Sequence, residues 1–283
     1  MTTTISNSKL TAEIKHLGAE LSSLKDNSGR EYIWNGNPIF WGKHSPVLFP
    51  IVGTLKNNSY QHNGVEYQLS RHGFAREMEF KLIAKQENSA VFSLAASEET
   101  QKKYPFDFDL HLIYTLENKT LKIEYKIFNK GESEMPFSIG AHPAFDLPAG
   151  FENYSLAFEK EESLEYFLLE DGLISNTTNP LKLNDNQLQL NYKLFENDAL
   201  VFKNIRSKSV TILENSKPSL KVSYPNFPDL GIWTPPNAPF ICIEPWFGYS
   251  DTVEKSGSVL DKEGIQILDS NGVFESVFNI EII

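Results

Sequence analysis

Alternation of apolar and polar residues with a period of two runs through most of the chain. In "LKIEYKIF" Leu121, Ile123, Tyr125 and Ile127 fall on one face and Lys122, Glu124 and Lys126 on the other, and "NKG" follows as a turn. This pattern predicts a half-buried strand entering a hairpin. The same reading fits "AVFSLAA", "DLHLIYTLE", "LVFKNI", "SVTILE", "SLKVSY" and the closing "VFNIEII", separated by the turn-prone "NSG", "NNS", "HNG" and "SNG". One short helix is predicted in "SEETQKKYP", with Ser97 as its N-cap, acids in the first turn, lysines in the last, and a stop at Pro105. Strand after strand without long helices predicts an all-β protein, a sandwich or barrel. No repeat, low-complexity tract or linker interrupts it, so residues 1–283 are expected to form a single domain.

Composition narrows the function classes. The hydrophobic share is 40% and the aromatic share 12%, which suits a folded, strand-rich chain. The net charge of -11 and the lack of any Lys/Arg-rich run argue against nucleic acid as a partner. The opening "MTTTISNSKL" lacks the basic and apolar regions of a signal peptide, and no apolar run is long enough for a membrane helix. A cytoplasmic protein is expected, in keeping with its single cysteine, Cys242. None of the six histidines has metal-motif spacing, no serine elbow stands out, and phosphate-cradling glycine loops are absent. His111, with Asp107 and Asp109 on a polar strand face, reads as a surface residue.

Two short stretches break the ordinary pattern. In "SIGAHPAF", Phe137, Ile139 and Ala141 face a core while Ser138, Gly140 and His142 share a small, polar face. Pro143 restricts His142 to extended backbone, which suits a preorganised side chain and equally a strand end. In "PFICIEPW", Ile241 and Ile243 take one face and Phe240, Cys242, Glu244 and Trp246 the other. An acid among apolar groups is paired, neutralised or used, and Trp246 beside it offers a ring for stacking on the C–H face of a sugar. A third stretch, "SRHGFAR", carries Arg71, His72 and Arg76 around Gly73, which permits a turn.

The order of "FPIVG", "RHGFAR", "GAHPAF" and "GIWTPPNAPFICIEPWFG" resembles the aldose 1-epimerase, or galactose mutarotase, family over most of the chain, and closely its bacterial LacX-type branch. The resemblance implies the large antiparallel β-sandwich of galactose mutarotase-like proteins, the supersandwich. Matched motif by motif, it implies His142 as the catalytic acid, Glu244 as the base and His72 as a second substrate-contacting histidine. It further implies Asp198 as the sugar-binding aspartate and Lys56 in place of the family's sugar-reaching arginine, with Arg71 as a second cation. The family's "NHS" around the acid histidine reads "GAHPAF" here. The implied reaction is α/β interconversion of a hexose by ring opening and reclosure. One carboxylate and one imidazole suffice for it, with no cofactor, metal or covalent intermediate.

The expected partner is a small-molecule aldose, and a homodimer is compatible with the resemblance. Two rivals remain open at this point: a non-catalytic carbohydrate-binding or sensory protein, and a hexose-6-phosphate 1-epimerase using Lys56, Arg71 and Arg76 for the phosphate. A free aldose is the expected substrate. Glycoside hydrolysis ranks low, because it normally needs two placed carboxylates and only Glu244 stands out.

Overall fold

The computed structural model describes residues 1–254 and 257–283. Alternating sequence becomes strand wherever it was expected, and every pairing between regular strands is antiparallel. A nine-stranded sheet has Val273–Ile282, Thr120–Asn129 and Phe108–Glu117 near its middle, and a second large sheet is centred on Phe240–Phe247. A three-stranded sheet, Thr2–Ser6, Leu10–Lys15 and Leu21–Asp26, completes the main layers. Among the described residues, no helix is long and apolar enough to cross a membrane.

The core lies between the two large sheets, so the fold is an antiparallel β-sandwich. Leu121, Ile123, Tyr125 and Ile127 from one sheet share a hydrophobic cluster with Ile139, Ile241, Ile243 and Phe247 from the other. Full burial of such side chains contributes roughly 1.5–3 kcal/mol each, and because the period is two, a slip of one residue would turn the whole set out to water. The opposite face of the second sheet, carrying Phe240, Cys242, Glu244 and Trp246, is thereby aimed away from this core. Glu244 and Trp246, on that face, belong to the candidate site.

Two local expectations need adjustment. The helix is there, with Ser97 capping Thr100 in a reciprocal box, but it spans only Glu98–Gln101, so the lysines lie beyond its end. The "NKG" turn after Thr120–Asn129 does not lead into a hairpin. The amide of Asn129 bonds the carbonyls of Ser133, Leu268 and Asp269, and the chain passes on to Met135–Phe137, which pairs with Gln266–Leu268. The hairpin partner of Thr120–Asn129 is the strand before it, Phe108–Glu117. On that strand His111 sits half-buried, 2.9 Å from Asp109.

Candidate active site

Phe240–Phe247 runs through the sheet between Asp229–Trp233 on one side and the segment 139–146 on the other. On the latter side Gly140 is opposite Trp246 and Ala144 is opposite Cys242. The same register carried through the gap between them puts His142 directly opposite Glu244. Pro143 has no N–H to give a ladder, so the strand is interrupted there into Ile139–Ala141 and Ala144–Asp146. The acid and the imidazole are therefore cross-strand neighbours, the closest relation two side chains on adjacent strands can have.

Glu244 Oε2 and His142 Nε2 lie 3.2 Å apart, with side chains 2% and 9% exposed. Among the described residues, Glu244 Oε2, His142 Nδ1 and Trp246 Nε1 have no hydrogen-bond partner of good geometry. No arginine or lysine among those residues forms an ion pair with Glu244, so the purely structural reading of a salt-bridged acid fails. Burial pushes the Glu244 carboxyl well above the ordinary carboxylate range, with Arg71 opposing the shift. Burial likewise pushes His142 down to about 3. Each shift disfavours a charge, and together they favour one arrangement: a carboxylic acid facing a neutral imidazole.

His142 is enclosed by rings. Trp41 stacks on it at 4.8 Å and 25°, while Trp233 and His72 meet it edge-on at 5.8 and 5.7 Å. Trp246 lies between two glycines on the flanking strands. A Cβ on Gly140 would come within 2.5 Å of its Cδ1, and one on Gly231 within 2.5 Å of its Cη2 and Cζ2. Side chains at these positions would push the indole out of its seat.

His72 enters from the turn of "SRHGFAR". The backbone at both His72 and Gly73 has positive φ, 69° and 71°, and a Cβ at Gly73 would lie 2.2 Å from the Phe49 carbonyl oxygen. Only glycine fits there. His72 is clasped to Gly53: its N–H donates to the Gly53 carbonyl at 2.8 Å, and the Gly53 N–H donates to its Nδ1 at 3.0 Å. Burial, with His142 and Arg71 nearby, holds His72 well below the ordinary histidine pKa, so the ring is neutral. Arg71 Nε–H donates to Nε2 of that ring at 3.3 Å, which joins the guanidinium to the imidazole at the edge of the cleft.

Arg71 Nη1 also lies 3.5 Å from Asp198 Oδ2, and Arg76 Nη2 donates to the Arg71 carbonyl at 2.9 Å. These residues, with Ala199, line a cleft of about 300 Å³ over the His142–Glu244 pair. Six of the seven expected site residues meet here: Glu244, His142, His72, Arg71, Asp198 and Trp246.

Lys56 does not belong to the set. Its ammonium donates to the Val253 carbonyl at 2.6 Å, its amide to Asp251 at 3.0 Å, and it lines a separate depression with Tyr60 and Glu66. The structure adds Trp41 and Trp233, and it places Arg76 in the same lining. Trp233 had a signal in its sequence, since it alternates with Gly231 along "DLGIW". Trp41 had none, because residues 35–46 form no regular element.

Among the described residues, Cys242 joins the pair as a third side chain with metal-ligand chemistry, the three ligand atoms lying within 4.8 Å of one another. Its thiol is packed with Trp34, Ala144, Ala238 and Phe240, and burial pushes it well above the usual thiol pKa. We assign it to this apolar cluster on the outer face of the sheet. A wider depression of about 1110 Å³, lined by Glu161, Glu162, Glu165 and Arg206 among others, brings neither an imidazole nor an aromatic ring to its acids.

This sandwich, with its cleft on the outer face of one sheet, defines the galactose mutarotase-like class. Residues 1–265 match the family model described as aldose 1-epimerase, and the chain belongs to that family. Protein LacX of Lactococcus lactis subsp. lactis, in its plasmid and chromosomal forms, is 37% identical over 277 residues, 93% of this chain and 93% of each relative. A solved galactose mutarotase related enzyme from Lactobacillus acidophilus matches with a TM-score of 0.96 at 32% identity, over 100% of this chain and 97% of its own. A galactose mutarotase-like protein from Lactobacillus casei matches at 0.94 and 29% identity, over 100% of both chains.

Proposed function

We propose that the protein interconverts the α and β anomers of a free hexose, with Glu244 as general base and His142 as general acid and without a cofactor. The observation that carries this reading is the opposition of one buried carboxylate and one buried imidazole, 3.2 Å apart, beneath a cleft walled by indoles. Ring opening needs a base for the C1 hydroxyl proton and an acid for the ring oxygen O5. Both oxygens are bonded to C1, so the two groups serving them must be neighbours. A cross-strand pair meets that requirement.

The proton count closes within the pair. Glu244 as carboxylate takes the hydroxyl proton while His142 as imidazolium protonates O5, the C1–O5 bond breaks, and an aldehyde forms. The pair is left as carboxylic acid and neutral imidazole, the arrangement that burial favours. Rotation about C1–C2 presents the other face of the aldehyde, and reclosure returns both protons. One proton held between the two residues serves the whole cycle, so the pair titrates as a unit. Arg71 donates to sugar oxygens, His72 contacts the sugar beside it, Asp198 accepts from a hydroxyl, and Trp41, Trp233 and Trp246 offer apolar faces to the ring.

The cations of the cleft favour an uncharged sugar. Arg71 lies 3.5 Å from Asp198 and Arg76 Nε 3.5 Å from Glu77, so each guanidinium's charge is already countered by a carboxylate, which weakens its attraction for a phosphate. Anomeric-exchange NMR over free aldoses and their 6-phosphates tests the reading. The expected result is accelerated exchange for at least one free hexose, with a larger kcat/KM than for its 6-phosphate. Exchange at the spontaneous rate across the panel would overturn epimerase function, and a strong preference for phosphorylated sugars would overturn the free-sugar assignment.

A further inference from the structure

Glu20 is a buried carboxylate behind the wall of the cleft, with no part in the chemistry above. It follows the turn after Leu10–Lys15, and its side chain is 10% exposed. Oε1 accepts from the backbone amides of His44 at 2.7 Å and Ser45 at 3.1 Å. Oε2 lies 3.7 Å from His44 Nδ1 and 3.9 Å from Lys15 Nζ. Burial alone would raise this carboxyl, but the bonds from His44 and the charge of Lys15 outweigh it and hold it below the usual value.

The segment gripped in this way, residues 35–46, has neither strand nor helix to fix it, yet it meets His142 by two routes. Through the backbone, the His44 carbonyl accepts from the amide of Ala144 at 2.9 Å, two residues beyond His142. Through side chains, the Trp41 indole stacks on the His142 ring and reaches Trp233 and Phe240 at 5.7 and 5.9 Å. The His44 ring itself covers Gly36, where a Cβ would lie 2.5 Å from Cε1, so the segment closes down on the residue that Glu20 holds. We propose that Glu20 is a positioning residue for His142, its carboxylate anchoring the 35–46 segment that sets the imidazole from both ends.

The inference rests on the acid role proposed for His142, and its test includes a readout that does not depend on turnover. Glu20→Gln keeps an amide oxygen for both backbone donors, and Glu20→Ala keeps none. Glu20→Ala is expected to lose about 10- to 100-fold in kcat, the scale of an ångström-sized misplacement, with KM nearly unchanged, and Glu20→Gln to stay within a few-fold of wild type. In parallel, the ring proton resonances of His142, displaced by the stacked Trp41, should shift in Glu20→Ala and hold in Glu20→Gln. Full kcat and unmoved resonances in Glu20→Ala would overturn the proposal, as would a Glu20→Gln variant as impaired as Glu20→Ala. Should Glu20→Ala not fold, hydrogen exchange decides: the His44 and Ser45 amides are expected to be protected in wild type and in Glu20→Gln, and rapid exchange in wild type would contradict the anchor. If wild type shows no anomer exchange at all, the epimerase reading fails, and the His142 resonances still report on positioning.

Discussion

At the scale of single residues, burial acts on the two partners of the Glu244–His142 pair in opposite directions, raising the carboxyl and lowering the imidazole. The same burial makes the pair a source of pH-dependent stability. Glu244 has a folded pKa above its ordinary 4.5, so between 4.5 and the folded value the native state holds a proton that the unfolded chain has released. Its contribution is present at low pH and is lost as pH rises. His142 has a folded pKa of about 3 against an ordinary 6.5, so between these values the unfolded chain binds a proton that the native state refuses. Its contribution is present above 6.5 and is lost as pH falls towards 3. Glu244→Gln removes the first effect. The variant should therefore be more stable than wild type at pH 7–8, by roughly 0.5–2 kcal/mol, the usual size of a stability–function trade, and the difference should shrink towards pH 4.5. Thermal melts of the two proteins across that range check it, and a variant less stable at pH 8 than at pH 4.5, relative to wild type, would contradict the sign.

At the scale of elements, the site depends on which strand lies beside Phe240–Phe247. Alternation in the sequence put Gly140 with His142 on one face and Glu244 with Trp246 on another, as the strands have them, because parity along a strand is a local property. It could not tell that the two strands are adjacent, nor that the register puts His142 opposite Glu244; that pairing depends on the whole sheet. The Lys56 assignment failed for a related reason. Closeness to Gly53 along the chain says nothing of direction, and after Leu55 the backbone turns towards Asp251 and Val253, which take up the lysine. Trp41 was illegible because an irregular segment has no period to read.

The glycines flanking Trp246 carry a test of their own. Gly231→Ala puts a methyl group within 2.5 Å of the indole, and overpacking of this kind costs about 1–3 kcal/mol. The displaced ring should weaken sugar affinity by about tenfold, equivalent to about 1.4 kcal/mol, and lower the Tm. Wild-type affinity and Tm together would show that Trp246 is not held by this contact.

At the scale of the molecule, one sheet face builds the core with its opposite sheet and the other face builds the cleft. The rigid interior thus fixes the strand carrying Glu244 from behind, through Ile241 and Ile243, while loops at 35–46, 70–76 and 198–199 bring the surrounding groups. Sites built on strands hold geometry better than sites built on loops, and here the two groups proposed to move protons are those on adjacent strand segments. The groups proposed to bind the sugar, Arg71, His72 and Asp198, come from turns and bends. On this account the Glu244–His142 pair is a single unit sharing one proton.

The most direct test is the anomer-exchange rate of Glu244→Gln, His142→Asn and the double variant, measured on the best free hexose with folding verified for each. If the pair acts as a unit, each single change should cost about 10²–10⁴ in kcat, and the double variant should fall no further than the worse single one. Losses that multiply in the double variant would mean that the two residues act independently, and a single variant with a near-normal rate would remove that residue from the chemistry.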